Sequence, residues 1–264
     1  MKPSMELPLV LFTLFSQMAV GITLLSGIRR WSLAEGAGEG DRRQWLAAAG
    51  LLALGLFFSL FHLGHPLDAV TALKHLSTSW LSREALVFAL LTALVIVASR
   101  KGLPQGIVRL TVAVGILGLL VQGMTYAPPS FPAINNVLPF AFFLVSAVTL
   151  GAGAASLLAP EEARPALARI LSAGLWAGLG VHLVAPCVWL SGGAVMRLTG
   201  QAYLASPLYW AHIVIGLALP LWVVARTGRV PGWLPLALLA GALCGRIVFY
   251  LETVHTAANI GGLY

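Results

Sequence analysis

Three of the six histidines fall within one short stretch, FHLGHPLDAVTALKHLSTSWLSRE, together with Asp68 and Glu84. A neutral imidazole titrates near physiological pH and can accept a proton, and a nearby carboxylate can orient the ring or pass the proton onward. His62 and His65 are three residues apart, a spacing that a metal ion could use, but no Cys/His pair elsewhere matches them. The stretch therefore indicates proton transfer rather than a metal site.

These titratable groups lie in an unusually apolar chain of 264 residues. Hydrophobic residues make up 59% of it and charged residues 9%, whereas a soluble domain carries about 25% charged residues. The apolar runs approach the roughly 20 residues that a helix needs to cross a bilayer, and they lack the alternation of a strand. The composition predicts an all-α, polytopic membrane protein. No soluble basic domain accompanies the net charge of +7, which argues against nucleic acid as a partner.

Eight apolar runs, separated by charged or Pro/Gly-rich breaks, predict a bundle of eight transmembrane helices. They lie near residues 6–28, 44–63, 83–99, 106–125, 136–158, 166–190, 207–225 and 232–254. The sequence shows no internal repeat and no linker long enough to separate a soluble domain. We therefore expect a single integral membrane domain over residues 1–264.

The basic residues favour one orientation of this bundle. Most of them occupy the connections after spans one, three, five and seven: Arg29, Arg30, Arg42, Arg43, Arg100, Lys101, Arg109, Arg164, Arg169, Arg226 and Arg229. Few lie on the other side: Lys2, Lys74, Arg83 and Arg197. Because cytoplasmic loops are enriched in Lys and Arg, we expect a bacterial inner (cytoplasmic) membrane protein with both termini on the outer, periplasmic side.

Glu84 has two interpretations at this stage. Ser82 is a suitable N-cap for the third span, which would put Glu84 in the first helical turn, where the helix dipole stabilises a carboxylate. The alternative is a functional acid, because a carboxylate at membrane depth is costly and is often kept for a function.

The last span carries a second signal, CGRIVFYLETVHTAANIGG. Arg246 lies within the apolar run, where an arginine costs about 2.5–3.5 kcal/mol on insertion scales unless it finds a partner. Either it makes a polar contact that holds the bundle together, or it lines a ligand cavity together with Tyr250, one turn further on.

A lipid-soluble quinol would suit these residues, because it must lose two protons as it gives up two electrons. Its site needs an apolar entrance and a base near water, which His62 and Glu84 or Asp68 could supply. Three alternatives remain open. A b-type haem would need histidines from two spans, such as His182 with His62 or His212. A small-molecule transporter and a purely structural tether are the others.

The sequence resembles the membrane anchor subunit of the dimethyl sulfoxide reductase family. The matching segments are ELPLVLFTLFSQMAVG, SLFHLGHPLDAVTALKHLSTSWLSRE with its HLGxP and LSxE elements, TYAPPSFPAINN, and GRIVFY. The resemblance implies that His62 is the quinol-site histidine, that Glu84 is the acid of LSxE, and that Arg246 and Tyr250 belong to a GRxxFY element. It further implies menaquinol as the donor and no haem in this protein.

The same resemblance implies an iron–sulfur subunit and a molybdopterin catalytic subunit as partners, with the iron–sulfur clusters and molybdopterin in those subunits. After HLG the family commonly has a small and then a basic residue, whereas this sequence has His65 and Asp68. The predicted site therefore has His62 and Glu84 as catalytic residues. His65, Asp68, Arg246 and Tyr250 are predicted to bind the quinol with His62, and no metal is expected. Such an anchor would exchange quinol with the quinone pool of the bilayer.

Overall fold

The computed structural model describes residues 7–32, 39–61, 74–100 and 105–259, and this part of the protein is helical, without strands. The all-α prediction is confirmed. The α-helices are α1 Leu7–Ser32, α2 Glu39–Leu60, α3 Trp80–Ala98, α4 Gln105–Thr125, α5 Leu138–Leu158, α6 Arg164–Leu190, α7 Ala194–Ala205, α8 Pro207–Ala211, α9 Leu219–Thr227 and α10 Leu234–Leu251. A π-helix, His212–Ala218, joins α8 to α9, and short 3₁₀ helices occupy Glu161–Ala163 and Thr256–Asn259.

Among the described residues, eight helical segments are long and apolar enough to cross a membrane, which confirms the predicted number. The seventh, Pro207–Thr227, is a composite of α8, the π-helix and α9. The short helix α7 lies between the sixth and seventh spans and was not predicted. Large apolar side chains such as Trp176 and Leu236 are exposed on the outside of the bundle, as expected for side chains that face lipid.

Consecutive spans run in opposite directions, so the start of α1 and the end of α10 lie at the same end of the bundle, here called the terminal end. The helices α3, α5 and α8 also begin there, and α2, α4 and α6 end there. Proline occupies the first or second position of α5, α6, α8 and α10, where its fixed φ suits a helix and its missing N–H costs nothing. Pro220, the second residue of α9, instead follows the π-helix directly and interrupts the backbone hydrogen bonds of the seventh span.

The start of α3 differs from the prediction. Its N-cap is Ser79, whose hydroxyl oxygen accepts a hydrogen bond from the backbone N–H of Ser82 at 3.3 Å. The helix therefore begins at Trp80, and the predicted capping role of Ser82 is wrong. Because of this earlier start, Glu84 is the fifth residue of the helix and lies beyond the first turn, so the helix dipole does not explain it.

Helix α1 packs against α2, α4, α5 and α10, and its backbone touches that of α5. A Cβ atom placed on Gly21 would lie 1.8 Å from the carbonyl oxygen of Ala147, and one on Gly151 would lie 2.5 Å from the Gly21 backbone. The two backbones touch because neither position carries a side chain, as in other close helix crossings in membranes.

Candidate functional site

Four buried polar side chains of different helices lie in the half of the bundle nearest the terminal end. Glu84 lies five residues into α3, and Gln122 lies in the last turn of α4. Gln17 lies in the first half of α1, and Arg246 lies near the end of α10. At most 4% of each of these four residues is exposed. A polar group buried this deeply needs a hydrogen-bond partner within the protein.

The four side chains supply those partners to one another and form a hydrogen-bonded series, here called the amide chain. The Nε2 of Gln122 donates to Oε1 of Glu84 at 3.0 Å, and the Nε2 of Gln17 donates to Oε1 of Gln122 at 2.8 Å. A guanidinium N–H of Arg246 in turn donates to Oε1 of Gln17. The amide chain thus connects a carboxyl group on α3 to a guanidinium on α10 by way of α4 and α1.

Arg246 has further contacts on α5. It donates to the hydroxyl oxygen of Ser146 at 3.2 Å, and its Cζ lies 4.4 Å from the centroid of the Phe143 ring. A cation above an aromatic face is attracted to it, more strongly when water is excluded. Arg246 therefore makes polar contacts that hold α1, α5 and α10 together.

Several buried polar atoms near the amide chain have no hydrogen-bond partner among the described residues. They are Oε2 of Glu84, Nε of Arg246 and the hydroxyls of Tyr126 and Tyr250. The rings of Tyr126 and Tyr250 pack edge to face with centroids 5.6 Å apart. Burial raises the pKa of the Tyr126 hydroxyl well above its ordinary range, so this group stays protonated and can donate. Unpaired buried groups in such number are typical of a place that takes a ligand or ordered water.

On the other side of Arg246 lies a small cavity, here called the histidine cavity, with a volume of about 20 Å³. It is lined by Phe142, Ser146, His182, Tyr203, Tyr209, His212, Ala242, Gly245, Arg246, Val248 and Phe249. This space suits one water molecule. Burial raises the pKa of the Tyr203 hydroxyl, which makes a 3.2 Å hydrogen bond with Thr253.

The two histidines of this cavity pack against each other with ring centroids 4.5 Å apart. The Nδ1 atoms of His182 and His212 each lie 2.9 Å from a backbone carbonyl oxygen, of Gly178 and Gly241 respectively. A carbonyl oxygen can only accept, so each Nδ1 carries the proton and each Nε2 is an acceptor. Nε2 of His212 is buried without a partner among the described residues. The rings are too close to each other for a porphyrin to fit between them.

The structure brings together part of the predicted site. Glu84 and Arg246 are joined through the amide chain, and Arg246 lines the histidine cavity. Tyr250 is not among the residues that line this cavity and contacts Tyr126 instead. His62, His65 and Asp68 lie outside the described residues. No group of three His, Cys, Asp or Glu side chains in the part that was described could hold a metal ion.

Sequence reasoning missed Gln17 and Gln122, which link the two predicted residues. The available signal was a lone glutamine within each of two apolar spans, since a polar side chain at membrane depth usually faces the interior of the bundle and finds a partner there.

Comparison with known proteins gives a consistent result. The sequence model of the DMSO reductase anchor subunit (DmsC) matches residues 1–251. The protein is 27% identical over 282 residues to the YnfH subunit of an anaerobic dimethyl sulfoxide reductase of Escherichia coli K12, covering 93% of this sequence and 94% of that protein. It is 28% identical over 281 residues to the C subunit of the anaerobic dimethyl sulfoxide reductase of Haemophilus influenzae, covering 97% and 98%.

Proposed function

Because the protein belongs to the DMSO reductase anchor subunit family, we propose that it is also the subunit of its complex that oxidises quinol. Membership makes it a multi-pass membrane anchor in a DMSO reductase complex, together with catalytic and iron–sulfur subunits. In the proposed reaction, menaquinol loses two electrons and two protons and becomes menaquinone. The electrons pass to an iron–sulfur partner subunit and then to the molybdopterin catalytic subunit.

The observation that carries the proposal is the state of the Glu84 carboxyl group. It is almost fully buried, one oxygen accepts from Gln122, and the other has no partner among the described residues. Such an oxygen can accept the hydroxyl proton of a quinol that enters from the lipid when the carboxyl group is ionised. Buried polar atoms that serve only the fold are usually hydrogen-bonded, which this oxygen is not.

The second predicted proton acceptor, His62, directly follows Phe61, the last described residue after α2. Helix α2 ends and α3 begins at the terminal end, and Glu84 lies in α3 near that end; His62 itself lies outside the described residues. On this proposal, His62 and Glu84 each take one quinol proton, and His65 and Asp68 take part in binding the quinol. If the terminal end faces the outer side of a bacterial inner membrane, the protons leave there.

The test uses the complex assembled in membranes and two pairs of variants. Glu84→Gln keeps the shape and hydrogen bonds of the side chain but removes the base, and Glu161→Gln changes an exposed acid at the opposite end as its control. His62→Leu is compared with His75→Leu in the same way. The measurements are oxidation of menadiol and binding of heptyl-hydroxyquinoline N-oxide, a quinol analogue.

Removing a general base costs about 10²- to 10⁴-fold in turnover. We expect losses of this size for Glu84→Gln and His62→Leu in complexes that assemble normally, and none for the two controls. Wild-type turnover and analogue binding in both site variants would mean that the protein is a tether without a quinol site of its own.

A further inference from the structure

Glu84 and Arg246 are buried ionisable side chains that do not touch; two glutamine amides separate them. We propose that Gln122 and Gln17 transmit the orientation imposed by Arg246 to the carboxyl group of Glu84. Arg246 is then a positioning residue that acts through Glu84 and need not contact the quinol. This inference rests on the proposed function, because it assigns the amide chain to the same quinol site.

The direction of the amide chain follows from the donors and acceptors available. A guanidinium has only N–H donors, so the amide of Gln17 must turn its oxygen toward Arg246. Its nitrogen then faces the oxygen of Gln122, which turns the nitrogen of Gln122 toward Glu84. Both amide dipoles therefore point the same way, with N–H groups toward the carboxyl group. Hydrogen bonds aligned in series polarise one another where water is absent.

Two serines accept further hydrogen bonds from the amide chain, Ser16 from Gln122 and Ser146 from Arg246. The Ser16 hydroxyl donates to the carbonyl of Thr13, which leaves its oxygen to accept the second N–H of Gln122 at 3.2 Å. The Ser146 hydroxyl likewise donates within its own helix, to Phe142, and its oxygen accepts from Arg246. Each serine can therefore serve the amide chain only as an acceptor. Reversing either amide would leave buried donors facing donors, which costs more than the loss of one hydrogen bond.

The consequence for the proposed site is that Oε1 of Glu84 is held and Oε2 is left free. If the Arg246 donor is lost, the amide of Gln17 is no longer fixed in direction, whereas Gln122 still donates to Ser16 and Glu84. A reversed Gln17 would turn its oxygen toward the oxygen of Gln122, so Gln122 would shift away and its hydrogen bond to Oε1 of Glu84 would weaken. The carboxyl group, and Oε2 with it, would then lose its position. The effect of Arg246 on quinol binding should therefore depend on the presence of a carboxyl group at position 84.

The bundle also contains a matched control. Gln44 of α2 is a buried glutamine that accepts from Ser26 at 2.7 Å and donates to the carbonyl of Ala155 at 3.1 Å. It joins helices as Gln17 does, but its hydrogen bonds within the described residues lead to no ionisable side chain. Gln44→Leu therefore removes similar buried hydrogen bonds without touching the amide chain.

The experiment is a double-mutant cycle in the assembled complex, measured as the Kd of heptyl-hydroxyquinoline N-oxide and as KM and kcat for menadiol. Thermal unfolding reports stability separately. Gln17→Leu is made in the wild type and in the Glu84→Gln background, and Gln44→Leu is made in the wild type. Arg246→Gln and Arg246→Lys form a second pair of variants. They test the same inference if the complex with Gln17→Leu does not assemble.

Residues in one network usually couple by an amount that changes a binding constant several-fold or more. We expect Gln17→Leu to weaken analogue binding about tenfold in the wild type and less than about twofold in the Glu84→Gln background. Gln44→Leu should lower stability and leave Kd unchanged. Arg246→Lys, which keeps a charged donor, should retain more binding than Arg246→Gln.

Two results overturn the inference, and they differ from each other. If Glu84→Gln impairs binding but Gln17→Leu has the same effect in both backgrounds, or behaves like Gln44→Leu, the amide chain is only structural and the proposed function stands. If Glu84→Gln binds the analogue and oxidises menadiol normally, Glu84 is not in the site, and the proposed function of this residue is lost together with the inference.

Discussion

A methyl group added at the crossing of α1 and α5 should destabilise the bundle. In Gly21→Ala the new Cβ would lie 1.8 Å from the carbonyl oxygen of Ala147, whereas real Cβ atoms essentially never come within 3.0 Å of such an atom. A backbone carbonyl cannot rotate away as a side chain does. The helices must therefore separate, and the contacts along their interface weaken.

Overpacking of this kind usually costs about 1–3 kcal/mol, and replacing glycine by alanine in a helix returns up to about 1 kcal/mol. Since the obstacle is backbone, we expect the upper part of that range, a net loss of about 2 kcal/mol. Gly50→Ala in α2 is the control, because no described atom beyond the neighbouring residues and backbone of its own helix lies within 4 Å of the added Cβ. Its stability should be unchanged or slightly higher.

The assay is the denaturant midpoint of the purified protein in detergent, followed by circular dichroism, with analogue binding measured in parallel. Gln17 lies one turn before Gly21, and Arg246 donates both to Gln17 and to Ser146 of α5. Separation of α1 from α5 should therefore weaken analogue binding as well. Equal midpoints for Gly21→Ala, Gly50→Ala and the wild type would refute the close crossing.

Three further predictions concern the terminal end. Ser79→Ala removes the N-cap of α3 and should lower the unfolding free energy by about 1 kcal/mol, measured by denaturation. Trp189→Phe removes the 2.8 Å hydrogen bond to the carbonyl of Ala133 and should cost about 1–2 kcal/mol, whereas Trp176→Phe on the exposed surface should cost little. Burial raises the pKa of the Tyr203 hydroxyl above its ordinary value of 10.0, so the folded state holds this proton more tightly than the unfolded state does. The melting temperature of the wild type should therefore fall between about pH 9 and pH 11, as the hydroxyl of the unfolded state loses its proton. Tyr203→Phe has no such proton, and its melting temperature should fall less over the same range.

The eight membrane spans could be predicted from the sequence because an apolar run of sufficient length is enough to identify each of them. Helix α7 could not be predicted in this way, because it is 12 residues long, contains Arg197, and packs against α6. The N-cap of α3 was misplaced because three serines, Ser77, Ser79 and Ser82, precede the same apolar run. The choice of Ser79 over Ser82 depends on the turn that leads into the helix.

The candidate site could also be predicted only in part. Arg246 could be singled out because a charge in an apolar run needs a partner. The partner itself could not be named, because Gln17 is 229 residues away in sequence and only the packing of α1 against α10 brings them together. Gln122 was hidden for the same reason, 105 residues from Gln17. The contact of His182 with His212 was foreseen only as one of two possible pairings of His182 in a haem site.

The link between the first and the last helix has a consequence for biosynthesis. When α1 leaves the ribosome, Gln17 enters the membrane about two hundred residues before its arginine partner is made. Until α10 arrives, the amides of Gln17 and Gln122 can satisfy each other but lack the donor that sets their direction. A nascent polypeptide truncated before Arg246 would therefore contain buried amides without their full set of hydrogen bonds. Quality-control proteases that recognise polar groups in lipid would be expected to degrade it.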